Sequence, residues 1–264
     1  MKVENKSGNY FGVTYNGNEK LLKLVSNINK NTRLLTLLKS SNINAIDRLG
    51  YNDHGPVHVK IVANHALTIL RILVKRGVTP SIVKNYNMGI DDAEVVVTLA
   101  SLLHDIGHVV HRKYHPFFSI VIADKILDEL LSGIYDDEKK DIIKFEVLHA
   151  IFSHEADIEP FTIEAGIVKI ADALDMEKGR ARIPFKLGKI DIHSVSALAI
   201  EKVEILEGNK KPIKIVIVMT NPAGIFQVDE LLKSKIKTSG IDDMVEIEAR
   251  LIENGKEVVF KKYE

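Results

Sequence analysis

Apolar residues along this chain recur first with a helical period and, past residue 184, with a period of two. From Glu19 to Arg48, Leu21, Leu22, Leu24, Val25 and Ile28, then Leu34, Leu35, Leu37 and Leu38, predict two short helices. Tyr51–Gly55 is turn chemistry, and Pro56 stands where a first helical residue belongs. The helix that follows, about 56–76, carries Ile61, Val62, Ala66, Ile69, Ile72 and Leu73 on one face. Further helices are expected over the apolar run ending at Leu103, over 115–132 and 138–156, and across Phe161–Asp175. Asp91 with Glu94 reads as a capping box ahead of the first of these.

After Pro184 the character changes. Ile213, Ile215, Ile217 and Met219 alternate with other residues, as do Val245, Ile247, Ala249 and Leu251, and Asn254-Gly255 is a hairpin signal. The order is strand, strand, helix, strand, strand, the helix carrying Ile225, Val228, Leu231, Leu232 and Ile236 on one side. Tyr10–Tyr15 before Asn16-Gly17 suggests half of another hairpin. The expectation is a mainly α protein: a helical domain over 1–186, then a small α+β domain over 187–264 for assembly or regulation.

Some polar residues break this pattern. His58 and His65 lie in the middle of the apolar face of the 56–76 helix, where burial costs free energy unless their nitrogens find partners. His104-Asp105 closes an apolar helix, offering an imidazole and a carboxylate from one short piece of backbone, and Gly107 is placed to end the helix there. Asp172 sits in Ile170-Ala171-Asp172-Ala173-Leu174, and a carboxylate in such a run needs a cation, either a metal or a Lys or Arg. Nine of the ten histidines fall between 54 and 154, so His108, His111, His115, His149 and His154 are further candidates. Imidazole and carboxylate without thiolate suit an open divalent site for Mn, Fe, Ni, Co, Zn or Mg.

Composition narrows the classes. Lys+Arg and Asp+Glu both number 36, which argues against bulk-charge binding to nucleic acid or membrane surface. There is no cysteine, hence no disulfide or Cys-ligated zinc. The first residues lack the apolar run of a signal peptide, so the cytoplasm is the default expectation. A homo-oligomer is compatible with all of this.

His58, Leu102-Leu103-His104-Asp105-Ile106-Gly107 and Ile170-Ala171-Asp172-Ala173-Leu174-Asp175, in this order, resemble the HD superfamily of metal-dependent phosphohydrolases, from about Tyr51 to Arg182. The resemblance implies an all-helical domain in which His58, His104, Asp105 and Asp172 bind one divalent metal ion. It further implies hydrolysis of a phosphoester, mostly of nucleotides, by attack of metal-activated water. His115 and His154 look like second-metal positions of some members, and His108 like a substrate-facing histidine of the triphosphohydrolase members. The Gly-Tyr-Pro signature of the cyclic-dinucleotide phosphodiesterases is missing. On this reading Asp105 orients or deprotonates the water, and His108 or His111 protonates the leaving oxygen. Arg112, Lys113, Arg180 and Arg182 are the cations available to phosphate, with Arg180 and Arg182 directly after the metal helix. Two other classes stay open: a non-catalytic nucleotide- or metal-binding sensor signalling through the C-terminal domain, and an RNA nuclease, which the charge balance disfavours.

Overall fold

The structure, a computed structural model, describes residues 10–179 and 192–263, the side chains of His193 and Ser194 excepted. Helices α1 (Glu19–Lys30) and α2 (Thr32–Ile43) are each N-capped by an asparagine, whose side chain accepts from Leu21 N and Leu34 N respectively. A π-helical turn, Asn44–Arg48, extends α2. Then come α3 (Pro56–Lys75), α4 (Ser81–Tyr86), α5 (Ile90–Leu103), a 3₁₀ turn (Ile106–Val109), α6 (His115–Leu130), α7 (Asp137–Phe152) and α8 (Ile163–Ala173). Every residue of α5 from Asp92 to Leu103 is buried, because α1, α3, α4, α7 and α8 pack around it. Helix α3 is long and apolar enough to cross a membrane by composition, but half of that stretch is buried inside the protein.

The C-terminal part holds α9 (Ile192–Leu198), strands β1 (Ile200–Glu207) and β2 (Ile213–Met219), a crossover, and strands β3 (Val245–Glu253) and β4 (Lys256–Tyr263). The sheet order is β1-β2-β3-β4, with β2 and β3 parallel and the outer pairs antiparallel. A parallel pair requires a crossover, and the helical segment between Pro222 and Lys237 supplies it. Strands β1 and β2 lie against α3, and the buried apolar side chains of both parts form one continuous core. The mainly α class with an α+β C-terminal region is as expected. The expected boundary near residue 186 lies outside the described residues.

Three local expectations fail for identifiable reasons. Residues 10–15 form no strand; the Asn29 side chain takes a strand's place, accepting from Phe11 N at 3.0 Å and donating to Phe11 O at 2.8 Å. The α5 cap is Gly89 with Asp92, whose carboxylate accepts from Gly89 N. Glu94 instead points inward to Arg71 at 2.7 Å and Asn18 at 2.9 Å. Helix α7 stops at Phe152, so His154 stands on the turn beyond it.

Candidate metal centre

The turn after α5 carries the site and is held from several sides. Ser119 Oγ on α6 donates to His104 O and accepts from Gly107 N, Asn44 Nδ2 donates to His108 O and Val109 O, and Ser41 Oγ donates to Ile106 O. Gly107 acts by its size. A Cβ there would lie 2.1 Å from His115 O and 2.6 Å from Ser119 N, so glycine is what lets α6 approach. This corrects the reading of Gly107 as a helix C-cap: α5 ends at Leu103, and Gly107 sits in the 3₁₀ turn.

Five imidazoles are oriented alike. The Nδ1 atoms of His54, His104, His115 and His154 donate to the carbonyls of Asn52, Ser101, Arg112 and Ile151, and His58 Nδ1 donates to Asp175 Oδ2 at 2.6 Å. A carbonyl or carboxylate oxygen can only accept, so each Nδ1 carries a proton and each neutral imidazole keeps its lone pair on Nε2. Those lone pairs converge: His58 Nε2 and His104 Nε2 are 3.2 Å apart, and His115 Nε2 and His154 Nε2 are 3.1 Å apart. Two facing lone pairs repel unless a cation stands between them or a proton is shared.

The carboxylates complete two groups. Asp105 Oδ2 lies 3.4 Å from His58 Nε2 and 3.2 Å from His104 Nε2, and Asp172 Oδ1 lies 3.3 and 3.5 Å from the same two nitrogens. Tetrahedral ligands at about 2.0–2.1 Å from a cation are about 3.3 Å from one another. The spacing of His58 and His104 from each other and from each carboxylate therefore fits a bound divalent ion. Asp105 Oδ1 faces the other way, 3.2 Å from His115 Nε2, 3.9 Å from His154 Nε2 and 3.4 Å from His108 Nε2. Asp105 thus lies between the two groups, one oxygen toward each. His54, Asp105 and His108 make a further set of donors close enough for one ion.

Charge follows from this crowding. Burial would raise Asp105 and Asp172, but His104 beside Asp105, and Lys235 with His104 and His58 beside Asp172, hold both carboxyls well below their usual range. Burial would likewise depress His104, yet Asp105 and Asp172 outweigh it and raise its pKa to about 9. His154 is pushed well below its ordinary value by burial and by the neighbouring His104.

The cluster lines a cavity of about 440 Å³ whose other wall is the C-terminal segment Gln227–Lys235. Of the residues expected at the site, His58, His104, Asp105, Asp172, His108, His115 and His154 come together. His111 and Lys113 do not. Both are exposed beside a neighbouring shallow depression, and His111 Nδ1 accepts from Lys113 N at 3.0 Å. His149 is used locally, stacking on Phe161 with ring centroids 5.1 Å apart and accepting from Phe161 N. Arg112 reaches the cavity with its guanidinium 4.0 Å above the Tyr51 ring. Arg180 and Arg182 lie outside the described residues.

Three contributors escaped the sequence reading. His54 lies four residues before His58, a spacing that repeats that of a ligand pair. Asp175 lies three after Asp172, where a carboxylate can back the imidazole of His58. Lys235, whose Nζ is 2.5 Å from Asp172 Oδ2, had no local signal.

Known proteins resemble this chain in sequence. The family model described as HD domain matches residues 58–177. An uncharacterized protein of Methanocaldococcus jannaschii is 50% identical over 222 residues, covering 84% of this chain and 86% of that one. Ribonuclease Y of Thermoanaerobacter pseudethanolicus is 33% identical over 97 residues, which are 37% of this chain and 16% of the ribonuclease. No solved structure matches significantly. The family match begins at His58 and runs past Asp175, so it spans every histidine and aspartate of the cluster described above except His54, and the chain belongs to the HD-domain superfamily.

Proposed function

We propose that the protein is a metal-dependent phosphohydrolase acting on a small phosphoester, most readily that of a nucleotide. The observation that carries this reading is the convergence of Nε2 lone pairs and carboxylate oxygens on one cavity. Charge supports it. The described lining residues include five carboxylates (Asp105, Glu155, Asp172, Asp175 and Glu230) and two basic side chains (Arg112 and Lys235), a formal charge of three negative with the histidines counted as neutral. An anion enters such a cavity only after cations have reversed its sign, and two divalent ions would leave it at about +1.

A divalent ion held by His58, His104, Asp105 and Asp172, and a second by Asp105, His115 and His154, would make bound water acidic and polarise a phosphoryl oxygen. The chain's own groups do the rest. Asp105 presents an oxygen to each group and orients the attacking water or takes its proton. His58 and His104 are kept in the ligating tautomer by Asp175 and the Ser101 carbonyl. His108, buried with Nδ1 lacking a hydrogen-bond partner and Nε2 3.4 Å from Asp105 Oδ1, is the group placed to hold or donate a proton to the leaving oxygen.

Asp105→Ala is expected to lose both metal content and hydrolysis across a panel of phosphomonoesters, nucleotides and short RNAs. An Asp105→Ala protein that retains full metal-dependent activity refutes the proposal. A metal-replete wild type that binds nucleotide and turns over nothing supports a sensor instead. RNA belongs in the panel because of the ribonuclease relative, although five carboxylates and two cations do not make a basic groove.

A further inference from the structure

The cavity has a wall that the HD domain does not supply. Between β2 and β3 the chain makes a π-helical turn, Gln227–Leu232, that runs directly into α10 (Lys233–Lys237). A regular helix with Val228, Leu232 and Ile236 buried would place Leu231 beside them. The wider π turn breaks that stripe. Leu231 is 42% exposed, and it lines the cavity together with Gln227, Glu230, Ser234 and Lys235. The segment is anchored close by: Lys169 Nζ, on the fully buried Lys169 of α8, donates to Thr238 O at 2.9 Å and Ile158 O at 2.7 Å. Gly166 leaves room for the Ser239 carbonyl, which a Cβ would meet at 2.3 Å.

The fixed segment puts one ammonium beside the metal ligands. Lys235 pairs with Asp172 Oδ2, while Asp172 Oδ1 faces His58 and His104. An ammonium has three donors and Asp172 uses one; the side chain is 20% exposed to the cavity. The second lining cation, Arg112, has its guanidinium carbon 4.0 Å from the centre of the Tyr51 ring, and a guanidinium seated on a ring still has N–H donors to offer a ligand. Lys233 and Lys237 flank Lys235 in sequence but do not line the cavity.

We propose that Lys235 and Arg112 form a phosphate-binding subsite facing the His/Asp cluster, so that the C-terminal part supplies a substrate-contacting residue to the HD domain. The inference rests on the phosphohydrolase reading for the class of ligand only; binding of phosphate can be measured without turnover. A lysine that served solely to hold Asp172 in place would act on metal, and its loss would lower metal content. A lysine that binds phosphate acts on the anion. Removing its competing positive charge from Asp172 leaves metal content the same or higher.

The test uses the full chain loaded with Mn²⁺ and inorganic phosphate as the titrant, followed by calorimetry, with metal content measured on the same samples. For Lys235→Met, phosphate Kd should rise on the order of tenfold, the loss of one charge-assisted hydrogen bond, with metal content undiminished. Arg112→Met should weaken phosphate similarly, and Lys235→Arg should retain most of the affinity. Unchanged phosphate affinity in Lys235→Met overturns the subsite, as does a wild type that binds no phosphate or a Lys235→Met protein that loses metal. Phosphate binding by a wild type that hydrolyses nothing would sink the enzymatic reading and leave the subsite standing.

Discussion

The hydrogen bond from His58 Nδ1 to Asp175 offers a quantitative test of the metal centre. Both side chains are buried, and the 2.6 Å contact joins an imidazole N–H to a carboxylate. Two consequences follow from deleting the carboxylate in Asp175→Ala. The imidazole is freed to shift its proton to Nε2, where it would point at the cation, and the ligand loses the basicity a carboxylate lends it. Partners of this kind are worth about 10–100-fold in metal affinity, or about 1.4–2.8 kcal/mol. In the metal-free protein the same change strips a buried N–H of its charged acceptor, at about 1–3 kcal/mol of folding stability. Asp175→Asn separates the contributions, because its carbonyl oxygen still accepts from Nδ1 while the negative charge is gone. Its Mn²⁺ affinity should fall between wild type and alanine. The assay is competition with a fluorescent chelator, alongside urea denaturation of the chelator-treated proteins. If Asp175→Ala binds Mn²⁺ as tightly as wild type, His58 is not a ligand in the tautomer its hydrogen bond fixes.

The remaining expectations concern pH and the docking of the C-terminal part. In the metal-free protein His104 has its pKa raised from 6.5 to about 9, with burial opposing and Asp105 and Asp172 overcoming it. A raised folded-state value means stabilisation fully present below 6.5 and lost as pH climbs through about 9, on the order of 3 kcal/mol across that span. Urea titrations of chelator-treated protein at pH 6.5 and 9.5 should show it, and equal stabilities would contradict it. Gly166→Ala should cost about 1–3 kcal/mol, since its Cβ meets a backbone carbonyl at 2.3 Å. Gly12→Ala, with nothing within 4 Å, is the control, and thermal melts in which the two variants behave alike would refute the close approach.

What could be read from the sequence was local anomaly. His58, His104-Asp105 and Asp172 stand out because each interrupts an apolar helical stretch, and burying such groups is costly enough to demand an explanation within a few residues of chain. Strand alternation and Asn254-Gly255 announced the sheet for the same reason: period and turn chemistry are short-range. Where the reading failed, sequence adjacency stood in for proximity. His111 and Lys113 follow the His104–His108 turn closely, but neither lines the cavity, although Arg112 between them does, and both end up exposed. Lys235, 63 residues from Asp172, comes back through a crossover, and its position depends on a π turn that no short window reveals.

The division of labour at Asp105 was also out of reach, and it governs how the centre behaves. One carboxylate serves two groups of imidazoles only because the 3₁₀ turn at Ile106–Val109 brings His115 on α6 against it from the side opposite His58. That approach depends on Gly107 having no Cβ. Without metal, the cavity gathers lone pairs and carboxylates that repel one another and are buried away from water. The protein meets part of that cost with a proton on His104 and with Lys235 on Asp172. The proton lies among the nitrogens and oxygens where a divalent ion fits, and Lys235 holds the other oxygen of Asp172. Local rules of burial are broken most severely at these residues, as expected where a fold gives up stability to hold a site ready for its ligand.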